Sequence, residues 1–319
     1  MSVAVVKPWK TSRIGGTQLL IVGCGDVGLR LLKQIQSKKI NNTHFNVVAL
    51  GRTPILINQT VNTTIRFASV DLDDKTAHLN TLRRYATISP WVIYLAPPNG
   101  EGLDDSRMQR FLACAASPTT RIKKLIYVST TGVYGVAHGV WVNETSLLKA
   151  QEPRAIRRIA AERRLKNSAI SHISILRAPG IYADDRLPIQ RLKNRLPTFI
   201  DADDVPTNHI HADDLARICW LAVFKSRNRR TYNAADGVPM MHSQYLKAVA
   251  QRFDLPEPVQ LPREAVQAAL SPIAWSMLSS ARRIDSSRLR NEWRIQLQYP
   301  NMLDFLSKIN INIVNKYCK

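Results

Sequence analysis

"LLIVGCGDVGLRLL", residues 19–32, is the stretch that decides the fold. Leu19 to Val22 read as a buried strand, and Gly23, Gly25 and Gly28 follow in a GxGxxG spacing at the opening of a helix. Each glycine has its own reason to be there. The first permits a tight turn, the second lets the backbone approach a pyrophosphate, and the third lets the helix pack close to the strand. The phosphates then meet the positive end of the helix. Gly23, Gly25 and Gly28, with Asp26 and Val27 at the helix start, are therefore expected to hold a dinucleotide; Cys24 fills the remaining variable position.

Outward from this loop, short apolar runs alternate with helical stretches. The pattern predicts strands at Gln18 to Val22, Phe45 to Leu50, Ile65 to Val70, Trp91 to Leu95, Lys124 to Val128 and Ile173 to Leu176. Most are near-continuous in Val, Ile and Leu, as strands covered on both faces must be. Between them lie helical stretches such as "DVGLRLLKQIQSKK", "DKTAHLNTLRRYA" and "LDDSRMQRFLACAA". Such alternation implies an α/β, doubly wound parallel sheet. Past Gly180 the chain turns to Pro-punctuated loops and short helices. The expected division is a polar lead over 1–16, a dinucleotide-binding domain over 17–180, and a mixed region over 181–319 that carries the last sheet elements and a smaller substrate lobe.

The second strand bears on the cofactor. An NAD site carries an Asp or Glu at its end to hold the ribose 2′-hydroxyl. Here "FNVVAL" runs into Gly51 and Arg52. A guanidinium offers a charge-assisted, bidentate partner for a 2′-phosphate, so NADP is expected, with NAD as the alternative.

The 319 residues are 45% hydrophobic, enough for a substantial core, and carry a formal net charge of +21. The excess is spread over several clusters, "RIKK", "KSRNRR" and "ARRIDSSRLRNEWR" among them, and no aromatic-interleaved basic patch accompanies it. A solvated basic surface is expected, with no specific nucleic-acid partner. Apolar runs such as "QLLIV" and "KKLIYV" fall far short of the ~20 residues that span a bilayer, so no membrane partner is expected. "MSVAVVKPWK" has no signal-peptide pattern, and Cys24, Cys114, Cys219 and Cys318 show neither CxxC nor metal spacing. These features predict a cytoplasmic protein with reduced thiols, in which Asn-x-Thr triplets such as those at Asn62 and Asn143 carry no glycan. His209, His211, Asp213 and Asp214 in "NHIHADD" could ligate a metal, but a strand flowing into an Asp-capped helix explains them without one, and no metal is expected.

"GCGDVG", "VDLDD", "YLAPP", "YVSTTGVYG", "ILRAPGIY", "NHIHADDLA" and "YNAADG" follow one another between Gly23 and about Asp236. In this order they resemble the extended or atypical short-chain dehydrogenases/reductases, the NAD-dependent epimerase/dehydratase family, with a looser likeness in "RRIDSSRLRNEW". The resemblance implies a Rossmann domain with Asp71 and Leu72 beside the adenine, and Leu95, Ala96 and Pro97 along the cofactor ribose. It places Pro179 to Tyr182, including Ile181, near the nicotinamide. Thr130 takes the hydroxyl position that orients a substrate oxygen, flanked by Ser129 on the cofactor side and by Thr131. Read without the resemblance, three hydroxyls end an apolar strand at the carboxyl edge of a parallel sheet, where α/β ligands bind, and local turn bonding competes with that role.

"RAIRRIAAERRLK", residues 154–166, departs from the family. Its enzymes keep a Tyr and, four residues on, a Lys at positions that register here with Arg154 and Arg158. The two share a helical face with Ala161 and Leu165. Arginine cannot give up a proton near neutral pH, whereas a tyrosine can be tuned for transfer. The implied activity is that of an oxidoreductase, epimerase or dehydratase on a small anionic, sugar-nucleotide-like substrate. Arg154 and Arg158 would hold an anion, with Tyr134 or Tyr182 as the unconventional proton donor. The alternative is a catalytically silent NADP(H) sensor, and either monomer or homodimer fits the sequence.

Overall fold

A computed structural model of the chain describes residues 17–37, 45–53, 63–74, 79–116, 120–279 and 281–310. The lead over 1–16, Asn62 and Cys318 lie outside the described residues. The first half runs β1 (Thr17–Val22), α1 (Asp26–Ser37), β2 (Phe45–Gly51), β3 (Thr63–Ser69), α2 (Leu79–Ile88), β4 (Trp91–Tyr94), α3 (Ser106–Ala115) and β5 (Lys124–Thr130). A 3-10 turn over Thr131–Tyr134 leads to β6 (Trp141–Val142), α4 (Pro153–Lys166), β7 (His172–Ala178), β8 (Gly180–Tyr182) and α5 (Ile189–Lys193). There follow β9 (Thr198–Phe199), β10 (Pro206–Thr207), β11 (His209–His211), α6 (Ala212–Lys225) and β12 (Arg230–Asn233). The chain continues through β13 (Met240–Met241), α7 (His242–Arg252), β14 (Gln260–Leu261), α8 (Arg263–Ala269) and α9 (Pro272–Leu278). Last come β15 (Arg283–Ile284), α10 (Ser287–Trp293) and α11 (Met302–Lys308).

Seven strands form one sheet in the order β12-β7-β5-β4-β1-β2-β3, every neighbouring pair parallel. Successive side chains of a strand face opposite ways. Leu19 and Ile21 of β1 accordingly join one core with α1 (Leu31, Leu32, Ile35) and α6 (Leu215, Ile218, Cys219). Leu20 and Val22 join the other, with α2 (Leu82, Ala86), α3 (Met108, Phe111) and α4 (Ala161, Leu165). The strand order reverses between β1 and β4, the place where ligands bind in open α/β sheets.

All six expected strands are present; β1, β2, β5 and β7 run past their apolar stretches, β3 starts two residues early and ends one early, and β4 stops one residue short at Tyr94. The seventh, β12, was not among them: "RTYN" is short and polar, and it is a strand because it completes the sheet edge beside β7. There Tyr232 is buried against Trp293 of α10, ring centroids 4.8 Å apart.

Beyond β8 a smaller lobe has two cores of its own. One gathers Leu192, Leu246, Val249 and Phe305 from α5, α7 and α11; the other gathers Phe199, Val266 and Leu278 from β9, α8 and α9. Parallel pairing of β8 with β11 sets His209 opposite Gly180 and ties the lobe to the sheet. Among the described residues no helix is long and apolar enough to cross a membrane.

Candidate active site

The glycine loop carries three different constraints. Gly23 has φ +84°, and a Cβ there would lie 2.5 Å from the Ala96 backbone, so only glycine fits without displacing β4's exit. At Gly28 a Cβ would lie 2.9 Å from Cys24 Sγ, which sets the approach of α1 to the strands. At Gly25 a Cβ would meet nothing within 4 Å. That open space lies before the first turn of α1, whose amides have no partner inside the helix. The loop itself is closed by Gly23 and Cys24 N–H groups donating to Leu50 O at 3.0 and 2.8 Å.

A cavity of about 620 Å³ opens here, lined by Gly23, Gly25, Asp26, Val27, Gly28, Arg52, Asp71, Leu72, Leu95, Ala96, Pro97 and Ile181. Of the residues expected against a dinucleotide, Ser129, Pro179, Gly180 and Tyr182 are absent from this lining and the rest are present. No carboxylate stands at the end of β2: Gly51 and then exposed Arg52 occupy it, and Arg52 O accepts from Ser69 Oγ at 3.2 Å. The open cradle at Gly25 and the start of α1 fit the pyrophosphate of a nicotinamide dinucleotide.

A second cavity, of about 880 Å³, adjoins the first and shares Pro97 and Ile181 with it. Thr130, Arg154, Arg158 and Pro179 line it. Thr130 Oγ1 accepts from Gly132 N at 3.1 Å, which leaves its own proton free to donate. Arg158 Nη1 donates to Val128 O at 2.9 Å and to the Tyr127 hydroxyl at 3.0 Å, so this guanidinium is anchored across the end of β5. Arg154, one turn earlier on α4, is half-buried and makes no hydrogen bond or ion pair among the described residues. Burial lowers its pKa, against the pull of Glu152.

The wall holds six arginines, Arg154, Arg157, Arg158, Arg186, Arg191 and Arg282, against one carboxylate, Glu152. Arg282 is buried, donates to Gly135 O at 2.7 Å, and is pushed down to about 10, mainly by burial and further by Arg154. His209 and His242 complete the inner end, both held neutral at pH 7 by burial, at about 4 and about 3. Arg186, Arg191, Arg282 and His242 were not among the expected site residues, and His209 was weighed only as a metal ligand. The sequence touched Arg282 only within the basic run "ARRIDSSRLRNEWR", not as part of a cavity.

Three expected residues are turned away from both cavities. Ser129 is buried and donates to Glu162 Oε1 at 2.6 Å. Tyr134, only 2% exposed, donates to Asn233 Oδ1 at 2.7 Å and accepts from Arg177 Nη1 at 3.0 Å. Tyr182 is 1% exposed and packed edge-on against His211 and Phe305. Tyr134 ends the 3-10 turn over Thr131–Tyr134, and its inward setting is fixed by partners distant in sequence, Asn233 and Arg177. Neither tyrosine lines the cavity where a proton would be needed. In "NHIHADD", His211 Nδ1 accepts from Asp213 N, Asp214 accepts from Gln298 and Tyr299 N–H groups, and Asp213 pairs with Arg30, so these residues act as caps and ties.

Several solved structures share this architecture. A functionally unknown conserved protein from Silicibacter pomeroyi superposes with TM-score 0.71 at 21% identity, over 94% of this chain and 99% of that one. UDP-glucose 4-epimerase from Thermotoga maritima, solved with UDP-glucose, gives 0.71 at 16% identity over 95% and 100%. A double mutant of the dTDP-glucose 4,6-dehydratase DesIV from Streptomyces venezuelae, with NAD bound, gives 0.71 at 16% over 95% and 97%. No family model matches the chain, and no curated protein matches it. What the chain shares with these proteins, end to end, is the α/β fold of NAD-dependent epimerases and dehydratases.

Proposed function

We propose that the protein is an NADP(H)-preferring enzyme of the epimerase, dehydratase or oxidoreductase kind that acts on a small anionic substrate such as a sugar nucleotide. The observation that carries this reading is Arg154, a half-buried cation without a hydrogen-bond or ion-pair partner among the described residues, in a cavity that adjoins the dinucleotide cradle. An unpaired charge in such a place is costly unless a ligand supplies the counter-charge. The neighbouring fold relatives, solved with UDP-glucose or with NAD, support the pairing of the two cavities with these two kinds of ligand.

A nicotinamide, when bound, accepts or supplies a hydride. Around it, Thr130 donates its hydroxyl proton to a substrate oxygen, and Arg158, anchored on Val128 O and the Tyr127 hydroxyl, holds its charge over the end of β5. Arg154 pairs with the substrate's anionic group or with negative charge developing on oxygen, stabilising it without proton transfer. A proton, where the reaction needs one, comes from water or from the substrate itself, because among the described residues this wall carries no tyrosine or lysine and burial keeps His209 and His242 neutral.

That same lack of a tyrosine favours a second reading, a catalytically silent NADP(H) sensor. One experiment separates the two. NADPH binding is followed by fluorescence, and NADPH oxidation and NADP reduction are then measured across keto-sugar nucleotides, sugar nucleotides and simple ketones. Turnover confined to anionic substrates and weakened by Arg154→Ala, with NADPH affinity unchanged, supports the enzyme. Tight NADPH binding with no turnover of any of them supports the sensor, and failure to bind NADPH removes both.

A further inference from the structure

The two cavities meet at Pro97, Ile181 and Arg186, and of these only Arg186 carries charge. Its Nε lies 3.4 Å from Asp26 Oδ2, and its side chain is 37% exposed. Asp26 opens α1 at the site where a dinucleotide's pyrophosphate would meet the helix. A carboxylate there opposes a second anion. Its Oδ1 is taken by Arg30 Nε at 2.9 Å, but Oδ2 is buried and has no hydrogen-bond partner, only the looser contact with Arg186.

The segment before Arg186 is held far more firmly than Arg186 itself. Arg30 donates to Asp185 at 2.8 Å and to Asp213 at 3.0 Å, pinning the turn after β8 to α1 and α6. The turn at Asp184 and Asp185 is thus tied to α1, while Arg186, on a long stem, ends in one loose contact at the junction of the two cavities.

We propose that Arg186 is a shared anion ligand: with both sites filled, its guanidinium leaves Asp26 and bridges the pyrophosphate of the dinucleotide to the anionic group of the substrate. The planar, five-donor guanidinium suits it to face two oxyanions at once, which an ammonium does less well. Placed between two like-charged ligands, it offsets their repulsion and makes each a better host for the other. This rests on the assignment of the two cavities under "Proposed function".

The test uses the full chain, NADPH, and inorganic pyrophosphate as the anion probe. NADPH affinity is measured by fluorescence; pyrophosphate affinity is then measured by calorimetry with NADPH saturating for each variant, so that the probe cannot occupy the dinucleotide site. Arg186→Gln is expected to weaken both ligands, each by about tenfold, as loss of one charge-assisted contact implies. Arg186→Lys is expected to recover part of both losses, and Arg154→Ala to weaken pyrophosphate alone. Thermal melting without ligand should move by no more than about 2 °C in Arg186→Gln, since the lost contact is loose and half-exposed and Asp26 keeps its ion pair with Arg30. Arg186→Gln weakening one ligand only, or neither, overturns the proposal, as does a wild-type NADPH complex that takes up no pyrophosphate. A wild-type protein that binds no NADPH overturns instead the reading on which the proposal rests.

Discussion

Glu162 and Arg177 are 1% and 2% exposed and meet through two bonds, Nη2 to Oε2 at 2.6 Å and Nε to Oε1 at 3.1 Å. Ser129 and Tyr134 close the network, and burial of Arg177 is outweighed by Glu162, which raises the guanidinium's pKa. The pair joins α4 to β7 beneath the candidate site. Breaking it strands a buried charge, so Glu162→Gln is expected to cost about 3–5 kcal/mol in urea denaturation. A loss under 1 kcal/mol would show that the network is replaceable. This network also explains why the proton donor was misread. "VYG" displays a tyrosine after a strand, but the partner that turns it inward, Asn233, lies 99 residues on, and nothing in the local sequence announces it. Arg52 is the contrary case in position: its place on the cavity wall was legible because the end of β2 sits at a fixed distance from the loop. Arg52→Asp is expected to shift the NADPH-over-NADH preference by tenfold or more, the weight of about 1.5–3 kcal/mol in one charge-assisted contact. Equal dissociation constants for the two cofactors in the unmutated protein would remove that role from Arg52.

The glycine loop separates folding from binding within three residues. Gly23→Ala forces a left-handed backbone onto alanine and drives a Cβ into Ala96, so it should destabilise the apoprotein by several kcal/mol. Gly25→Ala projects its methyl into open space; the apoprotein should melt within about 2 °C of wild type while NADPH affinity falls at least tenfold. Thermal melting with and without NADPH reads both outcomes, and parallel behaviour of the two variants would contradict the assignment of the cradle. Elements such as β1 and β5 were legible because burial on both faces demands unbroken Val, Ile and Leu. The paired strands β8 and β11, or β9 and β14, are two or three residues long and arise from packing of the lobe, which leaves no periodicity to read. Helix α4 was legible in position and face, though Arg157, donating to Gly102 O at 2.6 Å, is as integral to its packing as its apolar residues.

Across the molecule, buried titratable groups set a slope of stability against pH. His209 and His211 are lowered to about 4 and His242 to about 3, each chiefly by burial, while burial pushes Asp236 up to about 7. Unfolded histidines take up protons near pH 6.5 that these folded ones refuse, so their contribution is complete above about 6.5 and is lost as pH falls toward 4. Asp236 works the other way: its contribution is present below about pH 4 and lost as pH rises through 7. Asp105 and Asp214, which burial also raises, act in the same sense as Asp236, so the carboxyls offset part of what the three histidines contribute, at up to about 1.4 kcal/mol per pH unit for each group that titrates. Unfolding free energy measured in urea should therefore fall from pH 6.5 to 5.5, less steeply than the histidines alone would dictate, and a rise across that window would contradict the burial of the histidines. The net charge of +21 acts at this scale too. With the positive charge dispersed, duplex DNA should bind weakly, without sequence preference, and dissociate at moderate salt; tight binding to one sequence at physiological salt would overturn that expectation.

The face of α1 that carries Leu31, Leu32 and Ile35 is covered by α6, and Arg30 of the same helix reaches Asp213 across 183 positions of chain. During synthesis this apolar stripe therefore emerges long before its cover. At about 5–20 residues per second the wait is roughly 10–40 s. The sheet's last strand, β12, appears later still. A nascent chain halted after residue 180 would hold a nucleotide loop and most of a sheet, yet show the solvent a greasy flank that invites chaperones or neighbouring chains. Ribosome-bound chains of that length should crosslink to such factors through α1 and cease to do so once α6 has cleared the exit tunnel.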